Sequence, residues 1–441
     1  MKKCIGILVI WGVLHTILSG QLNKITFEEY TLDNGLHVIL HQDKSMPIVV
    51  VSVMVHVGSK NENPERTGFA HFFEHLLFEG SENIGRGEFD QYVEKAGGTL
   101  NANTSWDRTY YYEILPSNQL ELGLWLESER LLHAKVDQRG IETQREVVKE
   151  EKRQRIDNQP YGRILQETMS RLFKEHPYRW PVIGSMEHLD AASEEDYQKF
   201  YSEFYVPNNA VLSIAGDLDI DQTKKWVEKY FGSIPGSTHK IFRPEIQEPP
   251  LEGEIRDTVY DHIQLPAVII AHRTVPQGTP DSYALFMLGQ VLSQGQSSRL
   301  HKKLVEEEQK SLFAGSFPLD LEDAGVNLSF SILNLGADLA DVERIIIEEI
   351  EKLQTALITE REFQKLQNQV ENNFISANTS LGGIAESLAN YHLYFGDANL
   401  INTELNRYLS VTREDLLRVA RKYFQPDNRV VLYYMPQPAS Q

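Results

Sequence analysis

Cysteine is all but missing: one, Cys4, stands among 441 residues. That excludes an intramolecular disulfide framework and any cysteine-built metal centre. Basic residues are also scarce. The 43 Lys and Arg face 63 Asp and Glu, for a formal net charge of −20. Phosphate binding needs a basic footprint, so the balance argues against a nucleic-acid partner. An acidic surface suits cationic or mixed-charge ligands, basic peptides among them. Long apolar runs are almost absent. The one candidate, Cys4 to Leu18, is short for a membrane span of roughly 20 residues. Met1-Lys2-Lys3 precedes it and Ser19-Gly20-Gln21 follows. This is the layout of a secretory signal peptide over residues 1–20, cleaved near Gly20; an uncleaved anchor is the alternative. Export, to a periplasm, is therefore expected, with no membrane span left after cleavage. The apolar share of 41% and charged share of 24% are ordinary for a globular chain and exclude wholesale disorder.

From Ile25 onward, strand-like and helix-like segments alternate. Pro47 to Val55 is a β-branched run and reads as a strand, as does Val211 to Ala215. Apolar periodicity predicts helices over Gly68–Phe78, Glu88–Lys95, Leu120–His133, Gln138–Asp157 and Asp221–Tyr230. Gly232 to Gly253 holds Pro235, Pro244, Pro249 and Pro250 without periodicity, and reads as a linker. The second half replays the first. Tyr205–Leu212 matches Phe424–Val431 at an offset of 219 residues, and Gly80 matches Gly295 at an offset of 215. In both halves a strand precedes a helix, Pro266–Ile270 leading to Tyr283–Leu292 in the second. A duplicated α+β unit follows: an N-terminal domain at 21–235, a linker at 236–253 and a C-terminal domain at 254–441.

The segment Thr67 to Phe78 (TGFAHFFEHLLF) is the most informative. Thr67 can cap a helix start and Gly80 can end the helix. At about 100° per residue, His75 lies about 40° from His71, and Glu74 about 60° to the other side. All three project from one face, and their neighbours are large and apolar. Burying two imidazoles and a carboxylate unpaired costs roughly 1–3 kcal/mol per unsatisfied group, more for the charge. A divalent metal compensates directly. Histidines at i and i+4 reach one ion, and the glutamate between them reaches a water without being a ligand. With 14 histidines in 441 residues, H-x-x-E-H is expected by chance about once in thirty such chains. Catalytic zinc takes three protein ligands. The acidic helix from Ile141 to Arg155 offers Glu142, Glu146, Glu150 and Glu151, and spacing alone does not choose among them.

These residues resemble the inverted-zincin peptidases, the family of pitrilysin, insulin-degrading enzyme and the mitochondrial processing peptidases. The resemblance covers nearly the whole chain after the leader, in a segment order like that of the short bacterial members. It implies an α+β fold of two homologous α/β-sandwich domains forming half of a clamshell. It implies one Zn2+ per chain on His71, His75 and Glu151, the last because the family's third ligand stands about 76 residues beyond the second histidine. Glu74 is then the general base of an endopeptidase acting on unfolded peptides. Phe286 to Gln290 takes the place of His71 to His75 in the second half and holds no ligands, as in the family's inactive domains. Leu100, Asn101, Ala102 and Asn103 look like the edge strand on which an extended substrate adds a strand. Two positions depart from the pattern. Gln144 stands where relatives often carry a glutamate, and is expected to orient a ligand histidine without adding charge. Val305 and Phe313 stand near the family's substrate-holding arginine and tyrosine. The departure implies a homologous inactive partner supplying that pair, otherwise a homodimer. The reading from a different class is a non-catalytic assembly subunit of the same superfamily.

Overall fold

The chain is described here by a computed structural model covering residues 24–438; the leader read at residues 1–20 lies outside them. Among the described residues eleven strands form two sheets. The first holds β1 (Glu28–Thr31), β2 (His37–Gln42), β3 (Ile48–Val55), β4 (Thr99–Thr104), β5 (Thr109–Pro116) and β6 (Ala210–Gly216). The second holds β7 (Ile255–Asp261), β8 (Ala267–Thr274), β9 (Ser311–Asp320), β10 (Gly325–Leu333) and β11 (Arg429–Pro436). Their orders are β1-β2-β6-β3-β5-β4 and β7-β11-β8-β10-β9. Apart from β1 the two orders are the same. In each sheet one pair is parallel, β2 with β6 and β7 with β11, and the remaining pairs are antiparallel. β3 and β8 start 219 residues apart, as do β6 and β11. The duplicated α/β unit expected from the sequence is thus present as two sheets of common topology.

The helices are exchanged between the halves. Along β3, Val49, Val51, Val53 and Val55 enter a core with the first half's own helices. Val50 and Met54, on the opposite face, meet Leu381, Ile384 and Leu388 of the helix Leu381–Phe395 from the second half. The second sheet repays this. Val268 and Ile270 of β8 face their own helices, while Ile269 and Ala271 face Met169 and Leu172 of the helix Ile164–Leu172. A strand covered on both faces has no solvent side, which is why β3 reads as an apolar run interrupted only by buried Ser52 rather than as an alternation. Each fully buried Val, Leu or Ile contributes about 1.5–3 kcal/mol, so this exchange of apolar area joins the halves.

Three boundaries differ from the sequence reading. The histidine helix runs Phe69–Leu76 and ends before Gly80, which turns with φ +128° four residues later. Thr67 does not cap it; its hydroxyl is 2.8 Å from His188 Nδ1. The carboxylate of Glu62 takes the capping role, accepting the amides of Gly68 (2.9 Å) and Ala70 (2.8 Å). The predicted helix Gln138–Asp157 is regular only to Lys152, and Arg153–Asp157 widens into a π-type turn. No helix or strand forms between Phe231 and Ile255, where the linker was read.

Candidate metal centre and active-site cleft

The helix Phe69–Leu76 is two-faced. Phe69, Phe72 and Phe73 are buried against Tyr197 and Phe200, with ring centroids 4.5 Å apart for Phe69–Tyr197 and 5.3 Å for Phe73–Phe200. That aromatic face fixes the helix, and the spacing then turns His71, Glu74 and His75 outward together. The helix start is pinned by backbone contact. Gly68 sits at φ +97°, and a Cβ on Gly184 would lie 2.2 Å from the Gly68 Cα, so neither position admits a side chain. The helix end is pinned by buried Arg130, whose Nη1 donates to the Leu77 carbonyl at 3.0 Å. Arg130 lies 4.4 Å from the centroids of Phe78, Phe89 and Tyr111 and is paired with Glu127.

Across from this face runs the helix Gln138–Lys152, which delivers Glu151. Its Oε2 lies 2.9 Å from His75 Nε2 and 3.6 Å from His71 Nε2. One ligating atom from each of the three lies within 4.8 Å of the others. Glu150, one residue earlier, points to solvent and is tied to Arg153 (2.7 Å) and Gln154 (2.7 Å). Of the four acidic candidates on that helix, Glu151 joins the two histidines.

The donor set fits a divalent ion of borderline softness. Burial, then the neighbouring His75, push His71 down to about 4, so its ring is neutral at pH 7 and offers a lone pair. The contact with His75 holds the Glu151 carboxyl below its usual range despite burial. Its buried Oε2 makes no hydrogen bond of acceptable geometry, although two imidazole nitrogens stand close. Three donors converge, and that oxygen is left free; two imidazoles with one carboxylate are a zinc ligand set. The other Glu151 oxygen, Oε1, accepts from Arg155 at 2.6 Å, a contact the spacing did not reveal.

Glu74 stands beside the triad. Burial raises its carboxyl above the ordinary range, opposed by Thr104 Oγ1, which donates to Oε2 at 2.6 Å. Thr104 closes β4, which is the outer strand of its sheet. Leu100 and Ala102 rest on the first core. Asn101 and Ala102 line, with Glu74, His75 and the Glu151 helix, a cleft of about 740 Å³. Asn103 is held by Arg108. A second, more apolar cavity of about 330 Å³ opens on the His71 side, between Trp106, Leu165, Met169, Trp180 and Ile183.

Residues 37–185 match the insulinase family, peptidase family M16, and residues 191–370 match the inactive domain of M16 peptidases. The zinc protease PqqE of Helicobacter pylori is 31% identical over 440 residues, covering 99% of each chain. The crystal structure of a protease from Helicobacter pylori superposes with a TM-score of 0.89 at 30% identity, over 93% of this chain and 100% of that one. This chain belongs to peptidase family M16. Zinc is the metal its named relatives imply. The periplasmic protease PqqL of Escherichia coli shares the fold at 18% identity and a TM-score of 0.76, matching 94% of this chain but 48% of PqqL.

The M16 pattern read at Gln144 is placed differently. Its amide donates to Glu79 Oε1 at 2.6 Å, and Glu79 in turn holds Arg86. Among the described residues no hydrogen bond joins Gln144 to His71 or His75, so it braces the helix pair rather than orienting a ligand. Glu62 and Thr104 were not singled out in the sequence, because each meets the site across a fold rather than along a helix. Val305 is partly buried against the second core. Phe313 stacks on Phe330 with centroids 5.0 Å apart. Neither carries charge. Among the described residues no helix is long and apolar enough to cross a membrane.

Proposed function

We propose that the chain is a zinc-dependent endopeptidase acting on extended, unfolded peptides. The observation that carries this is the convergence of His71, His75 and Glu151 with Glu74 alongside, at a cleft walled by a free strand edge. His71, His75 and Glu151 would hold one Zn2+ per chain. Zinc bound there supplies Lewis-acid polarisation of the scissile carbonyl and a water of pKa about 7. Glu74 is the base. With Oε2 engaged by Thr104, Oε1 takes the proton of the attacking water and passes it to the leaving nitrogen. The free edge of β4, Leu100 to Asn103, pairs with the substrate main chain, which imposes little sequence preference. The apolar cavity beside His71 takes one large apolar substrate side chain.

In this reading residues 21–235 form the catalytic domain, 236–253 the linker, and 254–441 an inactive copy that closes the cleft. Residues 1–20 direct export to the periplasm. The helix Pro280–Ser293 of the second half carries Phe286, Gly289 and Gln290 at the positions of His71, Glu74 and His75, and so has no ligands. The substrate-holding arginine and tyrosine come from a homologous inactive partner. The test is mass spectrometry of products from a mixture of unstructured peptides. Internal cleavage that stops with a chelator and returns with zinc is expected; chelator-insensitive cleavage would overturn the assignment.

A further inference from the structure

A second group of histidine and carboxylate side chains converges far from the cleft. It comprises Glu29 on β1, His37 on β2 and His392 on the exchanged helix Leu381–Phe395. One ligating atom from each lies within 4.8 Å of the others. Glu29 Oε2 is 3.0 Å from His37 Nε2 and 3.9 Å from His392 Nδ1. The two imidazoles are stacked face to face, with centroids 3.3 Å apart and 6° between planes. The remaining His37 nitrogen, Nδ1, is 3.1 Å from the Thr31 hydroxyl. His392 Nδ1 is buried and has no hydrogen-bond partner among the described residues.

That arrangement is costly without a ligand. A buried ring nitrogen left unpaired forfeits roughly 1–3 kcal/mol, and two rings in contact cannot both carry a proton. His392 Nδ1 is thus left without a partner among the described residues, and His37 Nε2, which donates to Glu29, becomes a ligand once the ion displaces its proton. The single carboxylate, Glu29, is partly exposed and gives access from solvent. Donor atoms around a tetrahedral zinc with bonds of about 2.0–2.2 Å stand about 3.3–3.6 Å apart, between the 3.0 and 3.9 Å separations seen here.

We propose that Glu29, His37 and His392 form a second cation site, separate from the His71 site, for a borderline transition-metal ion such as Zn2+. Two imidazoles and one carboxylate select zinc, copper or nickel over magnesium or calcium, and water completes the shell. Occupancy tips the rings out of their parallel stack so that each lone pair faces the ion. Because β1 and β2 belong to the first half and His392 to the second, the ion staples the two halves at the edge where their helices are exchanged. Its role is structural: it binds the folded chain and not the unfolded one, so it raises stability by mass action.

The test uses the full chain carrying His71→Ala and His75→Ala, titrated with Zn2+ alone and followed by calorimetry and by thermal melting. One further zinc per chain and a melting temperature higher by a few degrees at saturation are expected. Adding His392→Ala should abolish both while leaving the zinc-free melting temperature nearly unchanged. Glu29→Gln, at an exposed position that does not threaten folding, should weaken zinc binding roughly tenfold or more. In the otherwise native chain, His392→Ala should lower total zinc from two per chain to one. The proposal is overturned if the His71/His75 variant binds no zinc, or if His392→Ala and Glu29→Gln leave its zinc binding as it was.

Discussion

Four side chains, delivered by one short helix and one long one, carry the proposed chemistry. Three of them were legible from spacing, because a helix fixes the angle between i, i+3 and i+4, and His71, Glu74 and His75 need no tertiary information to share a face. Glu151 was different. Its helix carries four carboxylates, and only the packing of that helix across the histidines separates Glu151, at 2.9 Å from His75, from solvent-facing Glu150. The supporting contacts were not legible: Thr104 reaches Glu74 from 30 residues away, and Gln144 turns to Glu79 instead of a histidine. The distinction between neighbours gives a direct test. In the His392→Ala background, Glu151→Gln should lower zinc retained after dialysis at least tenfold, since a ligand carboxylate of the His71 site is lost. Glu150→Gln should leave it within measurement error. Metal analysis showing the reverse would place the neighbouring carboxylate on the metal.

At the scale of elements, strands were easier to read than their surroundings. The β-branched runs of β3 and β6 announced themselves, but nothing local says that alternate residues of β3 face two different cores. The helix that covers its second face is 300 and more residues away in sequence. β8 shows the energetic consequence of such double burial. His272 is fully buried on it beside Phe424, with both ring nitrogens unpaired, and burial pushes it down to about 3. The unfolded chain takes up that proton near pH 6.5 while the folded chain refuses it until about pH 3. Between those values the unfolded state binds more protons, so stability is full above about pH 6.5 and falls on acidification, by up to about 1.4 kcal/mol per pH unit. His272→Phe should remove that component. Its melting temperature should drop less than the native chain's between pH 7 and pH 5, by a few degrees. Equal acid sensitivity in the two chains would show that His272 does not carry it.

The whole molecule is two copies of one unit locked by exchange. Repeated turn motifs 219 residues apart made the duplication readable, whereas the exchange of helices, which depends on contacts between halves, was not. Lys60 adds a polar lock where the halves meet. Its buried Nζ lies 2.7 Å from Glu322, 2.9 Å from Asp323 and 3.2 Å from Asp107. His56 pairs with Glu322 at 2.8 Å, so this charge cluster spans both halves. A buried ammonium persists only with such company. Val305 and Phe313, near where the family resemblance expects a substrate-holding arginine and tyrosine, are apolar. A partner's arginine would add charge-assisted hydrogen bonds of roughly 1.5–3 kcal/mol each. The zinc-loaded chain alone should therefore cleave peptides slowly, and a homologous partner with an intact arginine and tyrosine should raise turnover about ten- to a hundred-fold. Mutating that arginine should abolish the gain. Full activity from the isolated chain would remove the need for a partner and leave the zinc site untouched.

The most direct measurement compares the zinc-loaded chain with its Glu74→Gln variant, recording zinc content and peptide products side by side. Glu74 touches no ligand position, so zinc content should be unchanged. Loss of the proton acceptor should reduce internal cleavage by about 10²–10⁴-fold. Cleavage by the variant at the native rate, or no peptide cleavage by the native chain with its zinc in place, would contradict the assignment of this cleft as a zinc endopeptidase.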